Sequence, residues 1–402
     1  MAKRKINGSD HGSAIVFEAD NAERRRELVA QSDLVISMLP AFLHIDVARE
    51  AVELGVNLIT PSYVSKEMRE LHDAAQSNGV LLLNEMGVDP GIDHMSAMRV
   101  IHEIQREGGK LIRFESFTGG LIAPESDNNP WHYKFTWNPR NVILAGMGGT
   151  AQYIQNNRLK YIPSFKIFER FKEIEIKGHG SFEGYPNRDS LSYRKVYGLE
   201  DVPTIYRGTL RGAGFCNAWN VFVQLGMTTE DFEVECKNMT YRDFINSYLM
   251  YDEQLTVEEK LKKFHDLEEE VFDMIEWTGI FEDKLIGLES ATPAFILQRL
   301  LEEKWALEED DKDMIVMWHR FDYEKGDEVH EVHSSMVAIG EDQTYTAMSE
   351  TVGLPVGIAA KMILTGELTL TGVQMPILPE VYNPILDELS SYGIKFDEEE
   401  IH

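Results

Sequence analysis

Cysteine is scarce. The 402 residues hold two, Cys216 and Cys236, too few for a disulfide framework, and a reducing compartment is expected. Positive charge is also short. Lys and Arg number 39 against 68 Asp and Glu, a formal net charge of -29, which argues against nucleic acid and anionic membrane as partners. An acidic small substrate is not excluded, because a local arginine cluster overrides a global field. Long apolar runs are missing: nothing approaches a membrane-spanning length, and the opening Met1-Ala2-Lys3-Arg4-Lys5 lacks the apolar core of a signal peptide. A cytoplasmic, globular protein of two or three domains is expected at this length. His330 and His333 are three apart in a strand pattern, so they point to opposite faces and no metal site is expected. No nucleophile has a base at motif spacing.

A glycine-rich turn is absent where one is expected. Residues 14–18 read as a strand, 21–31 as a charged helix, 34–38 as a strand closed by Pro40, and 44–54 as a helix with Ile45, Ala48 and Val52 on one side. A strand at 56–60, the loop Pro61-Ser62-Tyr63, a helix at 65–77 and a strand at 80–83 follow. This alternation implies a parallel, doubly wound sheet. Such a sheet opens with strand, Gly-rich turn and helix, which hold a dinucleotide pyrophosphate. The first thirteen residues carry neither strand nor G-x-G-x-x-G; they read as the end of a helix and a polar turn, Asn7-Gly8-Ser9-Asp10. A substitute lies further on. Gly146-Met147-Gly148-Gly149-Thr150-Ala151 spells G-x-G-x-x-A between strand-like Val142 to Ala145 and a helical pattern, and Glu169 stands where a ribose ligand is expected. Against it, no β-α-β alternation continues from there.

What is present centres on Asn84-Glu85-Met86-Gly87-Val88-Asp89-Pro90-Gly91-Ile92-Asp93-His94. This stretch leaves an apolar strand and runs into a helix, with Asp89 as N-cap and Pro90 at the first helical position. Ile92, Met95, Val100, Ile101 and Ile104 follow at near-helical spacing, and Gly108-Gly109 ends the run. Open α/β sheets bind ligands where strands end, so Asp89, Asp93 and His94 stand where chemistry is expected. Capping and packing is the plainer reading of the same residues. Strand patterns at 110–118, 173–177, 204–210, 314–323 and 329–339 predict a mixed sheet, the last two joined by a hairpin turn at Lys325-Gly326-Asp327. Residues 217–310 read as helical, with a capping box from Thr256 to Glu259 and a helix opened by Thr292-Pro293. The acidic run Glu308 to Asp313 reads as a solvated connection, Thr351 to Leu364 as an apolar helix, and the last forty residues as helices packing back.

Four further clusters carry candidate chemistry. Ser62 and Tyr63 follow a strand at the same sheet edge as Asp89. Asn129 to Trp137 is dense in aromatic and polar groups, with Trp131 and Trp137 read as core or lid. Tyr185 to Ser190 forms a loop, and Arg207-Gly208-Thr209-Leu210-Arg211 ends a strand. Arginine grips a carboxylate as a planar fork, so Arg188 and Arg211 suit a polycarboxylate; their plainer reading is as surface ion-pair partners.

Six segments in this order resemble the saccharopine dehydrogenase family, specifically its L-glutamate-forming branch, the saccharopine reductases. They are S-D-L-V-I-S-M-L-P at 32–40, S-Y-V-S at 62–65, N-E-M-G-V-D-P-G-I-D-H at 84–94, P-N-R-D-S at 186–190, R-G-T-L-R at 207–211 and T-V-G-L-P-V at 351–356. The resemblance implies an enzyme of lysine metabolism that interconverts saccharopine with L-glutamate and 2-aminoadipate 6-semialdehyde, using NADP or else NAD. It implies an α/β fold: a truncated Rossmann-like parallel sheet, 1–92 completed by 345–402, and an α+β mixed-sheet domain for substrate and dimerisation, 93–216 with 311–344, carrying a helical insert at 217–310. Substrate contacts carry onto Ser62, Tyr63, Asp89, Arg188, Thr209, Leu210 and Arg211. Cofactor contacts carry onto Ser37, Met38, Leu39, Val88, Asp89 and Asn138. By its position at the pivot, Asp89 is expected to stabilise a cationic iminium or to order a water, with Asp93 or His94 as proton relay. A homodimer in the cytoplasm is implied.

The chemistry of the substrate agrees. Saccharopine carries three carboxylates and a secondary amine, and hydride transfer needs orientation and a dry pocket more than a strong nucleophile. One departure is large. The family's chains begin with strand, Gly-rich turn and helix, whereas this one starts near the following helix, so two central strands of the 3-2-1-4-5-6 order are expected to be absent. Two rival readings follow. One is a carboxyspermidine-type dehydrogenase of polyamine synthesis, whose single-carboxylate substrate suits two arginines poorly. The other is a non-catalytic remnant that binds saccharopine without cofactor.

Overall fold

The computed structural model describes Ile6 and residues 9–401. The chain divides into two compact units, Met1–Met95 with Val352–Ile385, and Ser96–Thr351 with Leu386–His402.

The first unit is built on a four-stranded parallel sheet in the order Leu34–Ile36, Asn57–Ile59, Leu81–Leu83, Gly372–Gln374. The short apolar runs become its strands, with Leu58, Ile59 and Leu81–Leu83 buried and the edge strand Leu34–Ile36 partly exposed. Helix His44–Leu54 lays Val47, Ala48, Ala51 and Val52 against Leu58, Val80 and Leu82, the three- and four-residue spacing of an amphipathic face. Helix Ala22–Ala30, capped by the Asn21 side chain, is tied to it by a buried fork from Arg25 to Glu50 at 3.1 and 2.8 Å. The α/β expectation holds, with three local corrections. Residues 14–18 form no strand. Val16 is 95% exposed and no described strand runs alongside, and strand propensity without a partner for the backbone groups makes no strand. The helix expected at 65–77 breaks at Leu71 into Lys66–Glu70 and His72–Ser77. The helix end read in the first eight residues lies, Ile6 apart, outside the described residues.

The third correction concerns the pivot. Its helix starts at Ile92, not at Pro90. Residues 87–91 instead close a tight loop: Gly87 N–H donates to the Pro90 carbonyl, and the Gly87 and Val88 carbonyls accept from Ile92 and Asp93. The Asp89–Pro90 peptide is cis. Gly91 has φ +148, and a Cβ there would stand 2.0 Å from the Gly87 carbonyl oxygen, so the loop needs glycine at this point.

The second unit holds a nine-stranded mixed sheet in the order Asp397–Ile401, Glu328–Ile339, Asp313–Lys325, Lys110–Ile122, Thr204–Arg211, Ala151–Gln155, Arg158–Ile162, with Lys172–Ile176 and Gly180–Pro186 branching from Thr204–Arg211. Only the Lys110–Ile122 and Thr204–Arg211 pair is parallel. The hairpin turn at Gly326-Asp327 is present. Helices Phe215–Leu225, Tyr241–Asn246, Val257–His265, Glu269–Trp277 and Pro293–Lys304 share a core in which Trp131, Trp219 and Trp305 meet edge to face or tilted. Thr256 and Glu259 make the expected capping box.

Four expectations fail in this unit. Gly146 to Ala151 follows helical turns, Pro139–Ile143 and Leu144–Met147, and leads into strand Ala151–Gln155. That is the reverse of the strand–turn–helix a phosphate loop requires. The acidic run is no solvated connection. Asp311 is buried and accepts from Lys134 Nζ at 2.5 Å, while Asp313 opens a strand and accepts from the Ala347 and Met348 N–H groups at 2.5 and 2.9 Å. The chain closes on a strand, Asp397–Ile401, because the exposed edge of Glu328–Ile339 offers it a partner. Helix Ala347–Leu364, which runs from this unit into the first, is long and apolar enough, by length and composition, to cross a membrane, contrary to the expectation that nothing is. Here 44% of it is buried inside the protein.

Candidate active site

In the first unit, the parallel strands Leu34–Ile36, Asn57–Ile59 and Leu81–Leu83 all end on the same side, and every candidate residue of this unit follows one of those ends. That is where open α/β sheets bind ligands. Ser37 is buried, Met38 is 57% exposed and Leu39 packs partly into the core. Backbone bonds lace the three loops together: Ser37 N–H to the Ile59 carbonyl, Thr60 N–H to Leu83, Glu85 N–H to Ser62 and Met86 N–H to Thr60.

Two groupings emerge there. Tyr63 donates its hydroxyl to Asp89 Oδ1 at 3.2 Å, both side chains reaching solvent, with Val88 buried beside them. Ser37 and Ser62 are joined through a residue the sequence reading passed over, His44. Its Nδ1 is 2.8 Å from Ser37 Oγ and its Nε2 2.8 Å from Ser62 Oγ. The signal was a histidine opening an amphipathic helix just beyond the 32–40 segment.

Asp93 and His94 lie beneath the loop, wholly buried. Asp93 Oδ1 accepts from Gly91 N–H at 2.6 Å. His94 Nε2 is 2.7 Å from Glu85 Oε2, and Glu85 Oε1 accepts from Val64 N–H at 2.9 Å. Glu85 itself adopts φ +59. These groups clasp the loop that presents Asp89 to the one that carries Tyr63.

In the second unit, Arg211 ends strand Thr204–Arg211 and is buried, 5% exposed. Its Nη1 donates to the Leu210 carbonyl at 2.8 Å, and its Nε has no hydrogen-bond partner. The guanidinium lies 5.2, 5.9 and 5.3 Å from the ring centres of Tyr133, Tyr185 and Phe215. Among the described residues it pairs with no carboxylate. Glu183, opposite it in register on the neighbouring strand, spends both oxygens on the Gly214 and Cys216 N–H groups, each at 2.8 Å. The N-terminus of helix Phe215–Leu225 draws that carboxylate away.

Tyr185 gathers the remaining candidates. Arg211, and then Thr209 and Arg188, act on its hydroxyl so as to oppose the rise in its pKa that burial causes. Burial pushes Tyr133 up to about 12 against the same pull from Arg211. Arg188 is exposed, in the left-handed region at φ +36, and its guanidinium lies close over Gly148. Gly148 of the false phosphate loop thus makes room for an arginine. Gly208 is squeezed between the Phe117 ring and the Tyr185 carbonyl, where a Cβ would fall within 2.5 Å of both. Leu210 points its side chain into the sheet core. Asn138 caps the short helix Pro139–Ile143 through Arg140 N–H at 3.0 Å. Cys216 carries no nucleophile: burial, and then Glu183, hold its thiol well above the ordinary range. Trp131 is core, its indole N–H donating to the Met274 carbonyl, and Trp137 is 44% exposed. Among the described residues, no group of three His, Cys, Asp or Glu is placed to hold a metal.

Comparison with known proteins gives one consistent family. Residues 87–394 match the saccharopine dehydrogenase C-terminal domain and residues 2–83 the saccharopine dehydrogenase NADP binding domain. The chain is 32% identical to the Schizosaccharomyces pombe saccharopine dehydrogenase [NADP(+), L-glutamate-forming], over 99% of this chain and 91% of that one. Its identity to the Saccharomyces cerevisiae enzyme of that name is 33%, over 100% and 91%. The Arabidopsis thaliana alpha-aminoadipic semialdehyde synthase is 33% identical, over 99% of this chain and 39% of its own length. The apo S. cerevisiae L-Glu-forming saccharopine dehydrogenase superposes with a TM-score of 0.88, covering 97% of this chain and 90% of that one at 32% identity. Homospermidine synthase from Legionella pneumophila shares the fold alone, at 9% identity and a TM-score of 0.53 over 96% of this chain and 80% of that one. On the full-length match to the yeast enzymes and the two domain matches, the chain belongs to the saccharopine dehydrogenase family.

Proposed function

We propose that this chain is an NADP-dependent, L-glutamate-forming saccharopine dehydrogenase, interconverting saccharopine with glutamate and 2-aminoadipate 6-semialdehyde. The observation that carries it is Arg211: a buried guanidinium, walled by Tyr133, Tyr185 and Phe215, with an unused Nε–H and, among the described residues, no carboxylate paired with it. A buried charge without a partner costs several kcal/mol, and a ligand carboxylate removes that cost. With Arg188 beside Tyr185, two carboxylates are provided for, which suits saccharopine better than a single-carboxylate polyamine precursor.

In the oxidative direction the carbon beside the secondary amine loses a hydride and the amine a proton. The resulting imine takes up water, and its C–N bond breaks to free the glutamate amine and the aldehyde. The bound nicotinamide supplies the hydride acceptor. The strand ends Ser37 to Leu39, and the backbone about Val88, would border its ribose and amide groups, while Ser62 and Tyr63 turn their hydroxyls to substrate. Asp89, carrying the Tyr63 hydroxyl, is placed to take the amine proton or to order the attacking water. Asp93 and His94 enter through the loop they hold. Ser62, Arg188, Thr209 and Arg211 bind substrate, Leu210 through the carbonyl that steadies Arg211, and Ser37 to Leu39, Val88 and Asn138 face the cofactor. The two free, buried cysteines suit a cytoplasmic enzyme, and a homodimer is the proposed assembly.

Steady-state kinetics of Arg211→Ala tests the reading. Removing one partner of a desolvated charge pair costs about 2–5 kcal/mol, so the KM for saccharopine rises at least ~30-fold while NADPH binding is kept. An unchanged KM sinks the carboxylate site.

A further inference from the structure

The mechanism above leaves His44 without a task, yet the ring is 3% exposed and has a hydroxyl at each nitrogen. Nδ1 faces Ser37 Oγ at 2.8 Å; Nε2 faces Ser62 Oγ at 2.8 Å and Thr60 Oγ1 at 3.3 Å. Burial lowers its pKa from 6.5, so the imidazole is neutral at physiological pH. A neutral imidazole donates from one nitrogen and accepts at the other. One hydroxyl must therefore donate into the ring, and the other must accept from it.

The difference in burial decides which. Ser37 is 4% exposed, and Nδ1 is the only partner its hydroxyl has among the described residues. If Nδ1 carried the proton, the Ser37 hydrogen would be buried with nothing to bond, which is costly. Ser62 is half-buried, and its hydrogen is free to point outward. Thr60, also buried, competes for Nε2, but its 3.3 Å contact is weaker than the two at 2.8 Å. The chain of bonds therefore runs one way: Ser37 O–H to Nδ1, Nε2–H to Ser62 Oγ, Ser62 O–H outward.

We propose that His44 is a positioning residue: locked by Ser37 as the Nε2–H tautomer, it fills a lone pair of Ser62 and turns the Ser62 hydrogen toward a carboxylate of the substrate. The inference rests on the substrate role of Ser62 in the function proposed above. It gives the site a preference. A hydroxyl fixed as donor favours a carboxylate at that position and disfavours an ammonium, which brings only donors of its own.

The test combines a spectrum with a mutant cycle. In wild-type protein carrying ¹⁵N-labelled histidine, the ring shifts of His44, assigned by their loss in His44→Gln, show the Nε2–H tautomer. A hydrogen bond to a charged group is worth enough that Ser62→Ala and His44→Ala each raise the saccharopine KM about 10-fold or more, with kcat little changed. The double variant is no worse than Ser62→Ala, because His44 acts through that hydroxyl. His44→Gln, whose amide N–H still reaches Ser62, recovers most of the affinity. A Nδ1–H tautomer, additive effects of the two alanine variants, or equal losses in His44→Gln and His44→Ala would overturn the proposal. Normal saccharopine turnover with an unchanged KM in Ser62→Ala overturns it while the enzyme reading stands. A wild-type chain that turns over no saccharopine strikes the enzyme reading first, and this inference with it.

Discussion

Asp89 shows what a single residue's surroundings decide. In sequence it stands where an N-cap belongs, ahead of Pro90. In the structure the helix begins three residues later, at Ile92, and Asp89 accepts from the Tyr63 hydroxyl. Its two readings therefore separate experimentally. Asp89→Asn, which keeps shape and loses charge, should lower kcat more than it raises KM across the pH range. Because asparagine keeps the side-chain oxygen a cap would use, the stability change should stay within about 0.5 kcal/mol. Wild-type turnover at every pH would make the residue a bystander, and a large fall in the thermal midpoint would restore it to a structural role. Arg211 makes the same point from the other side. Its neighbour in register, Glu183, is acidic, and pattern alone would pair them. The helix N-terminus at Gly214 and Cys216 takes the carboxylate first.

At the scale of elements, joints between distant segments matter more than propensities. Asp313 was read as part of a solvated acidic run. It is instead the cap of a helix that begins more than thirty residues later, with both oxygens bonded to the N–H groups of Ala347 and Met348. Burial raises its pKa and those two N–H groups hold it down. Asp313→Ala leaves two buried helix-terminal donors unmet and should cost about 1–3 kcal/mol, read as a lower midpoint in denaturant at unchanged slope. A midpoint equal to wild type would mean that water replaces the cap. The hairpin at Gly326, the capping box at Thr256 and Glu259, and helix His44–Leu54 were legible because each rests on contacts a few residues apart. The strand Asp397–Ile401 was not, because its partner, Glu328–Ile339, lies some seventy residues away.

For the whole molecule, a net charge of -29 means that folding gathers like charges that the unfolded chain keeps apart. Self-repulsion of this kind weakens as salt shortens the screening length from about 30 Å at 0.01 M to about 8 Å at 0.15 M. The thermal midpoint should therefore rise between those ionic strengths in sodium chloride, in calorimetry at neutral pH. A falling midpoint would show that ion pairs such as Arg25–Glu50 and Lys134–Asp311 outweigh the global field.

The sequence by itself determined the fold class, because apolar runs alternating with charged helices leave few ways to bury a sheet. It also determined the family, because six ordered segments survive as words, and the groups that follow the strand ends, because chain order places them there. Tertiary structure alone decided what those groups touch. That His44 links Ser37 to Ser62, that Asp93 and His94 support a loop, and that Arg211 pairs with no carboxylate among the described residues all depend on which donors and acceptors meet across long stretches of chain. Propensity and periodicity carry no information about that pairing, since hydrogen bonds and charges are settled by competition among all the neighbours that packing brings within about 3 Å.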